Sequence, residues 1–444
     1  MKIKSITVGG FKNLTETKLS LNGITAIVSP NNYGKSNLLE AIDFGTDFLS
    51  SSVKQRNSMM RFVRGIPINK AIANNEFMFE IEFEDEKLNE YRYVKYGYKF
   101  QWYKDDGSGQ KITDEWIEAR ASESVRYTSY LKRKEGKYRK DKSTPSYRKI
   151  NLDSSQLAID VLLAIDDIDI HPVIRAIKAV DFHVCSSLDL DDRFISEPIE
   201  YIDSKDDGGI SFDDRDVPRA LFKLKMNFPE KFDLFLEAVY TLFPEFNEVS
   251  VLPYELRKDS RSIKVFSAEP DKDFSEDAEA ETKGIPFKIR DELYRVLIIH
   301  KDLNQPIDMS MMSTGTKRIF WLLANIFIAS SNNISLVGVE ELETSIHPRL
   351  LKNLLEILGE ALENTNIIIS SHSPYLVQYF KSDNIYVGVP TDNGTAVFRK
   401  VKSGKIKALL NNARDLAMSV GEYLFELMSG DSDAAETLAF YLEA

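Results

Sequence analysis

The chain has 444 residues, 43% hydrophobic and 28% charged, with a formal net charge of −12 and one cysteine. That length exceeds one ordinary core and points to two or three subdomains. No run of about 18 apolar residues exists to span a membrane. The lone Cys185 excludes an internal disulfide and fits a reducing, cytoplasmic setting, and the acidic balance argues against a nonspecific nucleic-acid coat.

Residues 3–28 predict strands over Ile3–Val8, Thr17–Leu21 and Ile24–Val28, with Gly9-Gly10 and Asn22-Gly23 turning the chain. Met1–Ile6 alternate as a strand and lack the apolar core of a signal peptide. The third strand runs into Ser29-Pro30-Asn31-Asn32-Tyr33-Gly34-Lys35-Ser36-Asn37, then into a helix to about Leu49 with Leu38, Leu39 and Ile42 on one side. A strand entering a backbone-lined loop and then a helix N-terminus makes an anion cradle, because N–H groups and helix dipole face one point. Lys35 is expected to reach the β- and γ-phosphates of a nucleotide, and Ser36 to put its hydroxyl on Mg²⁺. Gly-Lys-Ser alone is a weak signal; its position between strand and helix is what marks a P-loop. Ser29 stands where that pattern asks for its first glycine, and its Cβ narrows the backbone range there.

Ser50 to Asn57 reads as a polar loop. From Glu76 to Lys149 the pattern turns to period two, with strands over Phe77–Phe83, Tyr91–Phe100, Ile112–Ile117 and Val125–Leu131 and a turn at Asp105-Asp106-Gly107. This predicts an antiparallel sheet inserted into the nucleotide-binding domain. Its end is strongly basic: Arg126, Lys132, Arg133, Lys134, Lys137, Arg139, Lys140, Lys142, Arg148 and Lys149, interleaved with Tyr127, Tyr130, Tyr138 and Tyr147. Two readings stand. The Arg126–Lys149 stretch is a DNA-facing hairpin with tyrosines free to stack, or it is a solvated face or one docking the chain's own acidic segments.

Residues 151–182 predict helix, with Leu157, Val161, Leu162 and Ile165 at core spacing. Residues 186–216 are acidic and turn-rich, without the spacing of a metal loop, and read as a surface loop. Pro229 opens a helix carrying Phe232, Phe235, Leu236, Val239 and Leu242 on one face, stopped by Pro244. Strands are expected near Val249–Leu252 and Ser262–Phe266, then a polar loop over Glu269–Lys283. Met312-Ser313-Thr314-Gly315-Thr316 precedes an apolar helix, Ile319 to Ala329; a Ser-x-Gly turn at a helix start offers donors to an anion. Ile334–Val339 predicts a buried strand ending in Glu340-Glu341-Leu342-Glu343, where one carboxylate is placed to hold a Mg²⁺ shell and the next to polarise water. A helix over Arg349–Leu362 follows. Asn366–Ser371 predicts a second buried strand, ending at His372, in position to touch a γ-phosphate.

Taken together, these elements resemble an ABC-type ATPase head of the RecF/SMC/OLD-like group over most of the chain. Ser29–Ser36 resembles its Walker A, Ser313–Thr316 its signature, Leu336–Glu341 its Walker B, Glu343–Pro348 its D-loop and His372 its switch histidine. Gly10-Phe11-Lys12-Asn13-Leu14 and the stretch from Asp207 to Pro244 also resemble that group. The resemblance implies an α/β fold: a P-loop NTPase head with an inserted antiparallel β-sheet and a helical subdomain. It lays out lobe I at 1–75, the β insertion at 76–150, a helical and acidic middle region at 151–285, lobe II at 286–400 and a helical segment at 401–444. It further implies that Asn31, Asn32, Gly34, Lys35, Ser36 and Asn37 bind ATP, that Ser36 and Glu340 hold Mg²⁺, and that Glu341 and His372 are catalytic. Two heads would dimerise head to tail, with Ser313 and Gly315 of one completing the other's site. Ser29 for Gly and Glu340 for Asp imply slow turnover.

Only about 70 residues follow His372, with no nuclease-like metal pair, so further chemistry is expected from a separate polypeptide. Heads of this build resemble the ATPase components of anti-phage systems such as Septu and PARIS. The expected function is therefore a nucleotide-gated sensor or scaffold for an effector, nuclease or toxin. Two alternatives are a RecF-like DNA-repair ATPase and a nucleotide-binding scaffold with negligible turnover. The apolar C-terminal stretch Ala434–Leu442 is expected either to dock on a partner or to pack on its own head.

Overall fold

The computed structural model describes residues 1–61, 66–104, 106–141, 146–166, 168–185, 192–201, 216–255, 287–289, 292–361, 365–381, 384–389, 391, 393–430 and 432–443. In chain order, β1 (Lys2–Gly9), β2 (Thr17–Ser20) and β3 (Ile24–Val28) lead to α1 (Lys35–Ser50) and α2 (Val53–Met59). β4 (Phe77–Glu84), β5 (Tyr93–Gln101), β6 (Lys111–Arg120), β7 (Thr128–Lys132), β8 (Lys137–Tyr138) and β9 (Arg148–Lys149) follow. Then come α3 (Ala158–Leu163), α4 (His171–Lys178), β10 (Phe182–Cys185), β11 (Ile199–Tyr201), α5 (Val217–Asn227), α6 (Pro229–Leu242) and β12 (Phe246–Glu255). β13 (Phe287–Ile289), β14 (Glu292–His300), β15 (Ile307–Asp308), α7 (Thr314–Ser331), β16 (Leu336–Glu340), α8 (Pro348–Ala361) and β17 (Asn366–Ser371) continue the chain. It closes with α9 (Pro374–Val377), β18 (Ile385–Val389), β19 (Val397–Lys400), α10 (Ile406–Asp415), α11 (Val420–Ser429) and α12 (Ser432–Tyr441).

Two compact units divide the chain: Met1–Ser186 with Asn333–Ala444, and Ser187–Asn332. The first holds two sheets. An eight-stranded antiparallel sheet has the order β2-β1-β4-β5-β6-β7-β8-β9, so the strands of 76–150 continue the N-terminal hairpin instead of forming a sheet of their own. A six-stranded sheet has the order β10-β16-β17-β3-β18-β19, with β10 through β18 parallel and β19 antiparallel on β18.

Period-two alternation on β4 sends Phe77, Phe79, Ile81 and Phe83 inward, where they share one core with Leu38, Leu39, Ile42 and Phe48 of α1. The ring of Phe48 stacks on Tyr98 and on Phe100, both at 5.0 Å between centroids. Gly45 lies inside α1, where glycine costs roughly 0.5–1 kcal/mol against alanine. A Cβ there would stand 2.1 Å from the Phe79 ring, so the close approach of helix to sheet requires it. On the second sheet, Ala26, Val28, Ile385 and Val387 pack with Leu424, Leu438, Tyr441 and Leu442. The C-terminal stretch therefore packs on its own unit, and Phe440 alone of its large apolar residues stays half exposed.

In the second unit, α7 is buried almost all round, as a helix apolar on every face must be. Phe320 of α7 meets Phe235 of α6 edge to face at 5.1 Å. β12, β14 and β15 form an antiparallel sheet, and Asp216 caps α5 by accepting from the Arg219 N–H at 3.0 Å.

Several expectations are corrected. Ser50–Asn57 is not a loop throughout: Ser52 and Gln55 form a capping box that starts α2 at Val53. The helical stretch expected over 151–182 is two short helices followed by β10, a strand whose pairing is with β16 far along the chain. Val217–Asn227 is a helix and Glu292–His300 a long strand, neither of which was expected. The strand at Ser262–Phe266, the tract Glu269–Lys283, Asp105, Lys142, and Asp189, Asp191, Asp206, Asp207, Gly208, Gly209, Asp213 and Asp214 lie outside the described residues.

Candidate functional site

Because β3, β17 and β16 are parallel neighbours, their C-terminal ends share one sheet edge. The register places Glu340 beside Ser370, and Ser370 beside Ile27. Everything that follows β3, β17 and β16 therefore converges at that edge, the usual ligand position in open α/β sheets.

The loop after β3 makes its turn with Asn32 at φ 59° and Gly34 at φ 110°, left-handed conformations that Asn tolerates and Gly adopts freely. A Cβ on Gly34 would also stand 2.9 Å from Ala396 Cβ and 3.0 Å from Asn13 Oδ1. Asn13 itself accepts from Asn37 Nδ2 at 2.7 Å, which ties the β1–β2 corner to the first turn of α1. Ser29 is fully buried. Space for its Cβ comes from Gly388 on β18, where an added Cβ would sit 2.7 Å from it. The missing glycine of the P-loop pattern is thus matched by a glycine on the adjacent strand.

Lys35 is buried, with 7% exposure, and its Nζ donates to the Ser29 carbonyl at 2.8 Å and the Pro30 carbonyl at 3.0 Å. Burial pushes its pKa down, while the charges of Glu341 and Glu343 draw it back up. Asn31, Asn32 and Ser36 are exposed around it.

At the end of β16, Glu341 adopts φ 46°, a left-handed conformation disfavoured for a non-glycine residue. It is held by its N–H, which donates to the Ser370 carbonyl at 3.0 Å. His372 stands between two carboxylates: Nδ1 is 3.5 Å from Glu341 Oε1 and 3.6 Å from Glu343 Oε1. Glu343 Oε1 also accepts from Ser371 Oγ at 2.7 Å and from the His372 N–H at 3.1 Å.

The structure so brings together Asn31, Asn32, Gly34, Lys35, Ser36, Asn37, Glu340, Glu341 and His372. Glu343 and Asn13 join them, though the sequence reading gave neither a role of its own. Both lie in stretches that resemble the family's motifs, but their contacts depend on residues distant in the chain. In the second unit, Ser313 is the N-cap of α7: its Oγ accepts from the Thr316 N–H at 3.2 Å and lies 2.8 Å from Thr316 Oγ1. Ser313 and Thr314 are exposed and Gly315 half-buried, so an 18-residue helix opens to solvent at its positive end.

The tyrosines of the basic hairpin are packed or hydrogen-bonded. Tyr130 and Tyr138 are buried, which takes them out of the base-stacking reading, one of the two left open by the sequence. Tyr127 donates to Glu82 at 2.7 Å beneath the Arg120 guanidinium, 4.4 Å from the ring. Tyr147 donates to the Ser129 carbonyl at 3.2 Å, with Arg139 4.9 Å from its ring. Arg133 turns inward to the carbonyls of Gln156 and Asp153. Arg126, Lys134, Lys137, Arg148 and Lys149 remain exposed.

Comparison with known families matches residues 24–378 to the model described as "AAA domain, putative AbiEii toxin, Type IV TA system". Among solved structures, an Smc head bound to the C-winged helix domain of ScpA is similar over 92% of this chain and 100% of its own, at 14% identity and a TM-score of 0.50. The SMC head domain from Thermotoga maritima aligns over 90% of this chain and 100% of its own, at 11% identity and a TM-score of 0.43. A Pyrococcus furiosus Smc head with an extended coiled coil, bound to the C-terminal domain of ScpA, aligns over 93% of this chain and 99% of its own, at 12% identity and a TM-score of 0.44. No curated protein matches. At such identity the likeness to the first of these structures speaks for the fold, an α/β P-loop ATPase of the SMC-head kind.

Proposed function

This chain belongs to the family described as AAA domain, putative AbiEii toxin, Type IV TA system, and on that footing we propose that it is an ATP-hydrolysing head that gates a separate effector. The observation that carries the reading is the shared sheet edge, where Lys35, Glu340, Glu341 and His372 converge from three parallel strands. Asn31, Asn32, Gly34 and Asn37 shape the loop that receives the phosphates, and Lys35 exchanges its two backbone carbonyls for phosphate oxygens. Glu341 orients and polarises the attacking water, with His372 beside it to contact the γ-phosphate.

Mg²⁺ suits this edge. Ser36 and Glu340 offer a hydroxyl and a carboxylate, the oxygen donors that ion takes, and Glu343 Oε2 is buried and accepts no hydrogen bond. When bound, the ion supplies charge neutralisation on the phosphates. Glu340 is one methylene longer than the Asp usual at that place, which favours slow turnover.

Two copies are proposed to close head to tail, the Ser313–Gly315 turn of one, exposed at Ser313 and Thr314, completing the phosphate site of the other. The family description reads as a toxin–antitoxin component, which supports action together with a second polypeptide; that this partner is a nuclease or toxin, and that the pair serves anti-phage defence, is part of the proposal. The packed tyrosines of the basic hairpin weigh against the DNA-repair alternative. Among the described residues no helix is long and apolar enough to cross a membrane.

The test is recovery of tagged Glu341→Gln protein, with ATP and Mg²⁺, from cells carrying the native gene neighbourhood. A nuclease or toxin at fixed stoichiometry is the expected result; DNA without a protein partner favours repair. Phosphate release by the wild type but not by the variant tests hydrolysis, and no release by either favours a scaffold.

A further inference from the structure

Glu340 ends β16 and two further carboxylates follow it, of which Glu343 is the more enclosed: its side chain is 11% exposed, against 48% for Glu341. Its Oε1 accepts two hydrogen bonds from consecutive residues of the switch segment, Ser371 Oγ at 2.7 Å and the His372 N–H at 3.1 Å. Ser371 is itself fully buried, and its Oγ accepts from the Ser373 N–H at 2.9 Å. A single carboxylate thus fixes the chain from 371 to 373 through one side chain and two backbone amides. Hydrogen bonds to an ionised acceptor are about twice as strong as neutral ones. The His372 ring is treated differently. At 3.5 and 3.6 Å its Nδ1 is near both carboxylates yet hydrogen-bonded to neither, so the bonds from Glu343 hold the backbone and not the ring.

We propose that Glu343 is a positioning residue, which pins the Ser371–His372 backbone beside Glu341 and so sets where the imidazole can reach. Its charge also acts on Lys35, so the group that places the histidine is felt at the phosphate-binding lysine. The catalytic consequence rests on the ATPase reading; the positioning itself does not.

Histidine-selective ¹³C labelling gives one ring signal for each of five histidines, with His372 assigned from His372→Gln. Glu343→Ala, which removes charge and acceptor together, is expected to shift or broaden the His372 signal. Those of His171, His183, His300 and His347 should stay in place. Ser371→Ala should move it in the same direction, and Glu343→Gln, which keeps an acceptor oxygen, should restore it to near the wild-type position. In turnover, Glu343→Ala should lower kcat by roughly 10- to 100-fold, and adding Ser371→Ala should make it no worse. An unmoved His372 signal in Glu343→Ala with the other four intact, or a Gln variant as disrupted as the Ala one, overturns the proposal. If Glu343→Ala does not fold, Ser371→Ala decides by the same signal. If the wild type hydrolyses no ATP, the ATPase reading fails while the ring signals still decide this one.

Discussion

Gly388 leaves open the volume that the Ser29 Cβ fills: a methyl group on one would stand 2.7 Å from that carbon on the other. The same methyl would meet the Tyr33 ring at 2.8 Å. Gly388→Ala should therefore press on the loop from beneath, costing about 1–3 kcal/mol by overpacking and weakening ATP binding. Adding Ser29→Gly should recover part of both, and only part, because Tyr33 still obstructs. Thermal melting and titration with a fluorescent ATP analogue measure the two effects.

The proposal that two copies complete each other's sites makes a further demand. Lys35→Ala and Ser313→Arg should each abolish turnover alone. Mixed one to one, they should regain about a quarter of wild-type activity, because half of the dimers are mixed and each has one intact site. Steady-state phosphate release on the mixture checks this, and a mixture as dead as its parts refutes completion in trans.

Acid stability has an identifiable origin on the outer face of the eight-stranded sheet. Glu84 lies 2.7 Å from Lys4 and 2.6 Å from Arg92, and the Lys4 hydrogen bond leads the causes that bring its pKa from 4.5 to about 2. Because the folded value is depressed, this stabilisation is complete above about pH 4.5 and is lost as pH falls toward 2. Glu84→Gln should flatten the acid limb of the melting-temperature curve in that window and leave its neutral-to-basic part unchanged in shape.

Glu115 is fully buried and accepts from the Ala158 N–H at 2.6 Å, the Ile159 N–H at 3.2 Å and Tyr96 Oη at 3.1 Å, with Arg133 at 3.5 Å. Burial pushes its carboxyl pKa up, yet it is the cap that starts α3. Glu115→Ala should cost about 3–5 kcal/mol, as breaking a buried pair does, and Glu115→Gln distinctly less. Denaturant unfolding compares them.

The elements legible in the sequence are those whose meaning is local. The Gly34-Lys35-Ser36 turn, the carboxylates after Leu336–Val339 and the histidine after Ile367–Ser371 each announce a strand end with chemistry attached. What stayed hidden depends on partners far along the chain. β10 is four residues long and means nothing until β16 pairs with it. Glu343 reads as one more acid until the fold brings Ser371 to it from 28 positions away. The tyrosines of the basic hairpin look free because their neighbours, Glu82 and Ser129 among them, lie on other strands. One miss was avoidable: Ser52 and Gln55 spell a capping box in four letters.

Glu341 carries a consequence of a different kind. A left-handed conformation at a non-glycine residue costs on the order of 1–2 kcal/mol, and the fold imposes it on the residue proposed to polarise water. Asparagine tolerates that geometry better, so Glu341→Asn should melt higher than the wild type while losing turnover. A gain in stability paired with a loss of turnover in that variant is the stability–activity trade-off expected if the Glu341 carboxylate acts on water as proposed.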